Sequence, residues 1–189
     1  HKATVAARRL ASMNQSVTLH PVTEQLTKDN VSELISGLDV VVDATDNFSA
    51  RYLMNTETRR HGIPLVSASV FQTQAQLSVF NYKQGPCYAC LYPEAPPTSM
   101  TPNCAAGGVM GLVPGVVGLL QANEVIKVLL GEGDVLSGTL LTMDLDRMSF
   151  ASYAIDKKST CTREACCLSG DTSKEASFHD QLNLSLIHI

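Results

Sequence analysis

A run of valines that ends abruptly in polar residues constrains the fold of this chain more than any other feature. Residues 40–42 are all valine, which is typical of a strand buried in a parallel sheet. Asp43 follows directly, and a second carboxylate, Asp46, stands beside the amide of Asn47. Ligands bind at the carboxyl ends of strands in open α/β sheets, so a carboxylate here could hold Mg²⁺, which prefers oxygen ligands. The alternative is that Asp43 and Asp46 only cap the helix that begins near Phe48.

Helical and strand patterns alternate along the first part of the chain. We predict helices at 3–12, 31–36 and 50–60 and strands at 17–21, 39–44 and 64–70. Such alternation predicts an α/β fold with a Rossmann-like, mostly parallel sheet and helices on both faces. Later strands, which we expect to be antiparallel, are predicted at 75–82, 138–143 and 149–155, with a long helix at 109–130 after the first of them.

The composition indicates a globular domain of ordinary size. The chain has 189 residues, of which 44% are hydrophobic and 17% charged, enough for a substantial core. A net charge of −4 and the lack of Trp argue against nucleic acid as the main partner. Residues 105–120 carry no charge, but this stretch is shorter than the ~20 residues of a spanning helix and contains Pro114. We therefore expect a core helix and no membrane partner.

Both ends of the sequence are unusual. It begins with His1 rather than Met and enters a helical pattern at once, so we expect that an N-terminal part is missing. No secretory signal peptide is visible, and we expect a cytoplasmic protein. Residues 169–189 lose the core pattern, and we interpret them as a linker, a tail or a sequence artefact. One partial domain is therefore predicted over residues 1–168.

Five of the six cysteines fall into two separated groups, and the sixth lies alone between these groups. Cys87 and Cys90 form a Cys-x-x-Cys pair, and the second group, far along the chain, contains Cys161, Cys166 and Cys167. Two separated thiolate pairs are what a closed tetrahedral Zn²⁺ site requires, and the entropy of closing a loop grows only slowly with its length. A redox Cys-x-x-Cys motif and disulfides are the alternatives. Whether Cys166 or Cys167 would be the fourth zinc ligand stays open.

Cys104 stands between the two groups, after a proline-rich loop and before the long predicted helix. A cysteine near a helix N-terminus tends to carry a larger thiolate fraction, and a mobile loop could bring it to a bound substrate. Cysteine is also often a small buried core residue. Position alone favours neither the reactive nor the structural role.

Several short motifs follow one another in a recognisable order. They are Asp43-Ala44-Thr45-Asp46-Asn47 with Arg51, Pro64-Leu65-Val66-Ser67-Ala68, Gly85-Pro86-Cys87-Tyr88-Ala89-Cys90, Asn103-Cys104-Ala105-Ala106-Gly107-Gly108-Val109, Gly115-Val116-Val117-Gly118 and Gln121-Ala122-Asn123-Glu124 with Lys127. From about Lys2 to Cys166 this order resembles the ThiF/MoeB/HesA family, relatives of the ubiquitin-activating enzymes. Each motif alone is weak, but their order and spacing together are specific.

The resemblance implies an enzyme that uses ATP and Mg²⁺ to adenylate the C-terminal glycine of a small ubiquitin-like protein. The closest likeness implies a sulfur carrier of the MoaD/ThiS type, in molybdopterin, thiamin or tRNA-thiolation pathways. It implies that Asp46 binds Mg²⁺, that Lys2 lies near the nucleotide phosphates, and that Asn47 and Arg51 contact the nucleotide. Such a reaction needs positioning and cations rather than a nucleophile from the protein.

The same resemblance implies roles for the cysteines and an assembly. Cys87, Cys90, Cys161 and Cys166 match structural zinc ligands, with Cys167 competing with Cys166 as the fourth. Cys104 matches the crossover-loop cysteine, which in some members bonds to the carrier or handles persulfide sulfur and in others is dispensable. A homodimer is expected by family analogy.

Departures from the family pattern lead to alternative hypotheses. The family's Gly-rich ATP loop, ribose-binding acid and arginines should precede Lys2, and the sequence does not contain them, so we expect this piece to be inactive alone. The alternative function is a non-catalytic, zinc-stapled subunit that binds a ubiquitin-like protein. A third interpretation is a nicotinamide-dependent oxidoreductase. It would need an upstream dinucleotide-binding glycine motif, and it gives the four cysteines no use.

Overall fold

The computed structural model describes residues 1–96 and 108–164 and the backbone of residues 186–188. These residues belong to two compact units, one with residues 1–30 and the C-terminal strand, the other beginning at Val31. The first unit contains helix α1 (Lys2–Met13) and strand β1 (His20–Val22), which pairs antiparallel with the strand Leu186–His188. That strand lies in the segment interpreted as a linker or tail. The domain boundaries stay a prediction.

The second unit starts with alternating helices and strands, as the sequence predicts. Its elements in chain order are α2 (Val31–Ile35), β2 (Val41–Asp43), α3 (Phe48–His61), β3 (Leu65–Phe71), β4 (Gln74–Phe80), the 3₁₀ helix Tyr82–Gln84, α4 (Tyr88–Leu91), α5 (Leu112–Leu130), β5 (Thr139–Asp144) and β6 (Ser149–Ala154). The predicted elements of this unit appear within a few residues of their expected places. Helix α4 has no counterpart among the predictions, and it begins directly after Cys87.

Five strands of the second unit form a mixed sheet in the order β2-β3-β4-β5-β6. The pair β2–β3 is parallel, and the other three pairs are antiparallel. The expectation of a mostly parallel sheet therefore does not hold for the described strands. A parallel pair needs a crossover, which α3 provides between β2 and β3, whereas the two-residue turn of Gln72 and Thr73 returns the chain antiparallel into β4.

Helices cover both faces of this sheet near the end of β2. Because successive side chains of a strand point to opposite faces, alternate residues of β3 and β4 pack with Val113 and Val117 of α5 in the main core cluster. The intervening positions face α3. There, Ser67 of β3 and Arg51 of α3 both donate hydrogen bonds to Asp43. The carboxyl end of β2 is thus held by side chains on the α3 face of the sheet.

Helix α5 is the one helix among the described residues that is long and apolar enough to cross a membrane. The core helix of a soluble protein passes the same test, so length and composition do not decide whether α5 crosses a membrane. The buried face of α5 carries polar groups. Nε2 of Gln121 donates to the backbone oxygen of Asp43 at 2.8 Å, and Oε2 of Glu124 accepts from N of Leu136 at 2.9 Å. One face of α5 packs on β3 and β4, but only 22% of its most apolar stretch is buried, so the expected core helix is buried along one face only.

Candidate functional site

The carboxylate of Asp43 is buried at the end of β2 and accepts four hydrogen bonds. Its Oδ1 accepts from N of Thr45 at 2.9 Å and from Oγ1 of Thr45 at 2.7 Å. Its Oδ2 accepts from Oγ of Ser67 at 2.7 Å and from Nε of Arg51 at 2.8 Å. A carboxylate whose oxygens are each bonded twice has little capacity left for a metal ion. Asp43 therefore fixes the loop that follows β2.

Arg51, near the start of α3, connects three parts of the site. Besides its bond to Asp43, its Nη2 donates to the backbone oxygens of Thr45 at 2.8 Å and of Ala68 at 3.3 Å. Its Cζ lies 5.8 Å from the ring centroid of Tyr88. Burial lowers the pKa of the guanidinium, but the charge of Asp43 and the contact with Tyr88 raise it more, so the pKa lies above its ordinary value. Arg51 therefore stays charged, and its contact with a nucleotide stays a prediction.

Asp46 and Asn47 are adjacent but have different surroundings. Oδ1 of Asn47 accepts from N of Ala50 at 2.8 Å and so caps α3. Asp46 is exposed and lies on the wall of a cavity. The alternative that Asp43 and Asp46 cap the helix is wrong, because the capping residue is Asn47. An exposed carboxylate beside a cavity can take a cation that prefers oxygen ligands.

The cavity opens at the carboxyl end of β2 and has a volume of about 700 Å³. Its wall is formed by the loop after β2, by β3 and β4, by α4, and by Pro114, Val117, Gly118 and Gln121 of α5. The volume falls in the range of roughly 300–1,000 Å³ that is usual for small-molecule and cofactor sites. The cavity thus lies where the sequence predicts a ligand site, at the end of a buried strand.

Tyr88 is the centre of an aromatic cluster on the cavity wall. Its ring meets Tyr52 and Phe80 edge-on, with centroids 5.2 and 5.5 Å away, and lies 5.1 Å from the ring of Tyr92. The hydroxyl of Tyr92 donates to Oε1 of Gln76 at 2.7 Å. Burial raises the pKa of both Tyr88 and Tyr92. Sequence reasoning missed these residues; the one signal was the position of Tyr88 inside the Cys-x-x-Cys motif.

Cys87, Cys90 and Cys161 come together in the buried interior. Their Sγ atoms all lie within 4.8 Å of one another, and those of Cys87 and Cys90 are 3.8 Å apart, too far for a disulfide. In a tetrahedral site with Zn–S bonds of ~2.3 Å, the sulfurs lie ~3.8 Å apart. The three side chains therefore fit a zinc ion. Cys166 and Cys167 lie outside the described residues, so the fourth ligand stays a prediction.

Arg59, near the end of α3, connects the two cysteine segments. It donates from Nη1 to O of Gly85 at 3.3 Å, from Nη2 to O of Cys161 at 3.1 Å, and from Nε to O of Thr162 at 3.2 Å. Arg59 is buried, although its neighbour Arg60 is exposed. No local sequence signal distinguishes these two arginines.

The roles of two further predicted site residues, Lys2 and Cys104, stay predictions. Lys2 is exposed in the first turn of α1, within the first unit, and its role at the nucleotide phosphates stays a prediction. Cys104 lies outside the described residues, as do residues 103–107 of the motif around it. Its role also stays a prediction.

Comparison with known families decides what kind of protein carries this site. A sequence model of the ThiF family matches residues 1–163. The chain belongs to the ThiF family. The family resemblance seen in the ordered motifs is thereby confirmed.

Curated relatives of this ThiF-family chain are similar over most of its length. The SAMP-activating enzyme E1 of Haloferax volcanii is 43% identical over 160 residues, which is 85% of this chain and 59% of that protein. The sulfur carrier protein adenylyltransferase of Thermus thermophilus is 41% identical over 165 residues, 85% of this chain and 61% of that protein. The adenylyltransferase and sulfurtransferase MOCS3 of Xenopus laevis is 40% identical over 173 residues, 91% of this chain and 38% of that protein. This chain thus spans less than two-thirds of each relative.

The fold of this ThiF-family chain is similar to that of MccB of E. coli. The crystal structure of MccB with MccA-N7isoASN gives a TM-score of 0.73 at 16% identity, covering 87% of this chain and 51% of that chain. The crystal structure of MccB with ATP gives 0.72 at the same identity and coverage. At this identity the likeness establishes the α/β fold with its mixed sheet, and nothing about ligands.

Proposed function

We propose that the full-length protein uses ATP to adenylate the C-terminal glycine of a ubiquitin-like sulfur-carrier protein of the MoaD/ThiS type. The carrier would then serve molybdopterin, thiamin or tRNA-thiolation sulfur transfer. Relatives named sulfur carrier protein adenylyltransferase and SAMP-activating enzyme E1 support this class of activity. The observation that carries the proposal is an exposed carboxylate, Asp46, on the wall of a ligand-sized cavity at the end of β2.

In the proposed reaction a carboxylate oxygen of the carrier attacks the α-phosphorus of ATP. A new O–P bond forms, the bond from the α-phosphorus to the bridging oxygen breaks, and pyrophosphate leaves with the electron pair. Because the nucleophile belongs to the carrier, the protein contributes positioning and electrostatic stabilisation. Asp46 would hold Mg²⁺, which when bound neutralises charge on the phosphate oxygens. Lys2 would add a cation near the leaving pyrophosphate.

The residues on either side of Asp46 support its assignment, because both are fixed. Thr45 is held through its backbone nitrogen, its hydroxyl and its backbone oxygen, by Asp43 and Arg51. Asn47 caps α3. A carboxylate that is exposed but has an ordered backbone on both sides needs little reorganisation when a cation and a nucleotide bind. Asn47 and Arg51 also line the cavity, which supports their proposed contacts with the nucleotide.

We also propose that Cys87, Cys90 and Cys161 hold a structural Zn²⁺ together with Cys166, or with Cys167 in its place. The convergence of three buried thiols supports this site. A closed site of four sulfurs leaves no open position for a substrate, so its contribution is to the stability of the fold. The zinc ion would link the segment before α4 to the segment after β6.

The other parts of the proposal rest on the family alone. They are a homodimer, a cytoplasmic location, and a role of Cys104 in bonding to the carrier or in handling persulfide sulfur. The proposed adenylation needs no nucleophile from the protein, so adenylation by a Cys104→Ser protein would leave the main proposal intact and restrict Cys104 to a later sulfur-transfer step.

Exchange of labelled pyrophosphate into ATP by the full-length protein tests the proposed function. We expect exchange that depends on a ubiquitin-like carrier, with no exchange when the matched control carrier lacks its terminal glycine. Tight binding of the intact carrier without any exchange would favour the alternative, a non-catalytic zinc-stapled subunit. The present chain, assayed in parallel, is expected to bind ATP weakly and to show no exchange.

A further inference from the structure

Arg59 is a buried cation whose hydrogen-bond partners, within the described part of the chain, are all backbone oxygens. Its exposed fraction is 6%, whereas the side chain of the adjacent Arg60 is 73% exposed. Basic residues in the last turn of a helix usually interact with its dipole at the surface. Within the described residues Arg59 forms no ion pair with a carboxylate, although buried charges are normally paired. Its inward orientation therefore needs an explanation.

The three acceptors of Arg59 lie on the two segments that carry the cysteines. Gly85 stands two residues before Cys87, and Cys161 is itself one of the three clustered thiols. Nη1 bonds to Gly85, while Nη2 and Nε bond to the backbone oxygens of Cys161 and Thr162. A planar guanidinium with fixed donor directions is suited to bridge two such segments, and a single ammonium group is not.

Other residues of α3 hold the first cysteine segment at further points. Oδ1 of Asn55 accepts from N of Tyr88 at 2.8 Å. Oγ1 of Thr58 accepts from Nδ2 of Asn81 at 3.1 Å, and N of Asn81 donates to O of Pro86 at 2.9 Å. The first segment is thus attached to α3 independently of Arg59. The second segment is attached to the same helix by the bonds of Arg59 to Cys161 and Thr162 and, just after them, by Nη2 of Arg163, which donates to O of His61 at 3.1 Å. Of these two arginines, Arg59 is the one that bonds to the backbone of Cys161 itself.

We propose that Arg59 is a positioning residue for the cysteine cluster, which brings Cys161 to Cys87 and Cys90 and so raises the affinity of the cluster for a divalent metal. This inference rests on the zinc site proposed above. The three thiolates of the cluster around Zn²⁺ already carry a net negative charge, and a buried guanidinium on the adjacent backbone compensates that charge in a medium of low dielectric constant. The negative charge of the cluster would be the counter-charge of Arg59, which forms no ion pair with a carboxylate among the described residues.

The inference is tested by zinc competition with a chromogenic chelator on the purified full-length protein and its Arg59→Gln variant. Outer residues that hold metal ligands typically change metal affinity by roughly 10–100-fold, and we expect a loss of that size for Arg59→Gln. Arg60→Gln, one residue away and exposed, is the matched control and should bind zinc like the wild type. Arg59→Lys provides a milder variant in case Arg59→Gln does not fold. It should also lose affinity, because one ammonium cannot bridge both segments.

A second measurement separates positioning from a general structural role. Thermal melting of each variant with bound zinc and after chelation gives the stabilisation that the metal supplies. If Arg59 only supports the fold, its variants lower both melting temperatures equally and leave the difference unchanged, which would overturn the inference. We expect the difference to shrink for Arg59→Lys and Arg59→Gln and to persist for Arg60→Gln.

The outcomes also separate this inference from the proposals on which it depends. A wild-type protein that binds no zinc would overturn both the metal site and the role of Arg59. Equal zinc affinity in the wild type and in Arg59→Lys would overturn the role of Arg59 alone. Weakened zinc binding in the variants, in a protein that shows no carrier-dependent exchange, would support Arg59 and overturn only the proposed catalysis.

Discussion

Nε of Arg51 and Oδ2 of Asp43 lie 2.8 Å apart in an ion pair that is enclosed at the carboxyl end of β2. The two side chains are only 8% and 0% exposed. The same pair fixes the backbone of Thr45, next to the exposed Asp46. Removing one partner of an enclosed pair leaves the other charged and unpaired in the interior. The stability of this part of the sheet should therefore depend on both residues.

Substitution Arg51→Met should destabilise the protein strongly. The apolar side chain keeps most of the volume, but the carboxylate of Asp43 loses its counter-charge, and breaking such a pair costs about 3–5 kcal/mol. Urea unfolding followed by circular dichroism measures this loss.

The control for this prediction is Arg60→Met on the same helix. Arg60 pairs with Glu57 at 3.7 Å, but its side chain is 73% exposed. Such surface pairs contribute roughly 0–1 kcal/mol. A loss for Arg51→Met no larger than that for Arg60→Met would contradict the structural role assigned to the buried pair.

Substitution Asp46→Ala should abolish carrier-dependent pyrophosphate exchange in the full-length protein without lowering its melting temperature. Asp46 is exposed and is not the cap of α3, so its removal affects the proposed Mg²⁺ site rather than the fold. Asp39→Ala is the matched control, because Asp39 is exposed just before β2, away from its carboxyl end. Activity in the Asp46 variant equal to that of the Asp39 variant would remove Asp46 from the metal site.

Substitution Cys87→Ser should lower both the zinc content and the melting temperature. Cys87 is buried and belongs to the cluster of three thiols, so the loss of its sulfur opens the proposed metal site. Zinc per chain is measured by atomic absorption after dialysis. Cys104→Ser serves as the control, since Cys104 is not among the proposed ligands. A Cys87 variant that retains as much zinc as the Cys104 variant would contradict the site.

The aromatic cluster should make stability fall at alkaline pH. Burial raises the pKa of Tyr88 above its ordinary value of 10.0, partly offset by Arg51, so the folded chain holds this proton more tightly than the unfolded chain. The resulting stabilisation is fully present below the unfolded pKa and is lost as the pH rises through the folded pKa.

Melting temperatures measured from about pH 8 to about pH 12 test this expectation. The Tyr88→Phe protein should lose less stability over this range than the wild type. Tyr153→Phe removes an exposed hydroxyl and should follow the wild-type curve. Identical curves for the wild type and for Tyr88→Phe would show that the hydroxyl of Tyr88 has no raised pKa in the folded state.

Local pattern predicted the elements around the site well. The valine run became β2, and the polar residues after it lie at the edge of a cavity. The two cysteine groups were expected to meet, and Cys87, Cys90 and Cys161 do so. These features follow from burial periodicity and from the chemistry of residue types, which neighbouring positions in the sequence display directly.

The division of roles within each motif could not be predicted in the same way. Three polar residues share one short segment but have different roles. Asp43 is a buried ion-pair partner, Asp46 is exposed beside a cavity, and Asn47 caps a helix. Which carboxylate is buried depends on Arg51 and Ser67, and these side chains meet Asp43 only once β2, α3 and β3 are assembled.

By itself, the sequence determined the alternation of helices and strands, the family of the chain and the residue types of its site. The tertiary structure alone decided which strands become neighbours in one mixed sheet: β4 and β5 pair antiparallel although the whole of α5 lies between them in the chain, and so long a connection leaves strand direction open. It also decided that Arg59 points inward while Arg60 points outward. The acceptors that hold Arg59 lie on segments distant in the sequence, and no local pattern records which distant carbonyl groups will meet a side chain after folding.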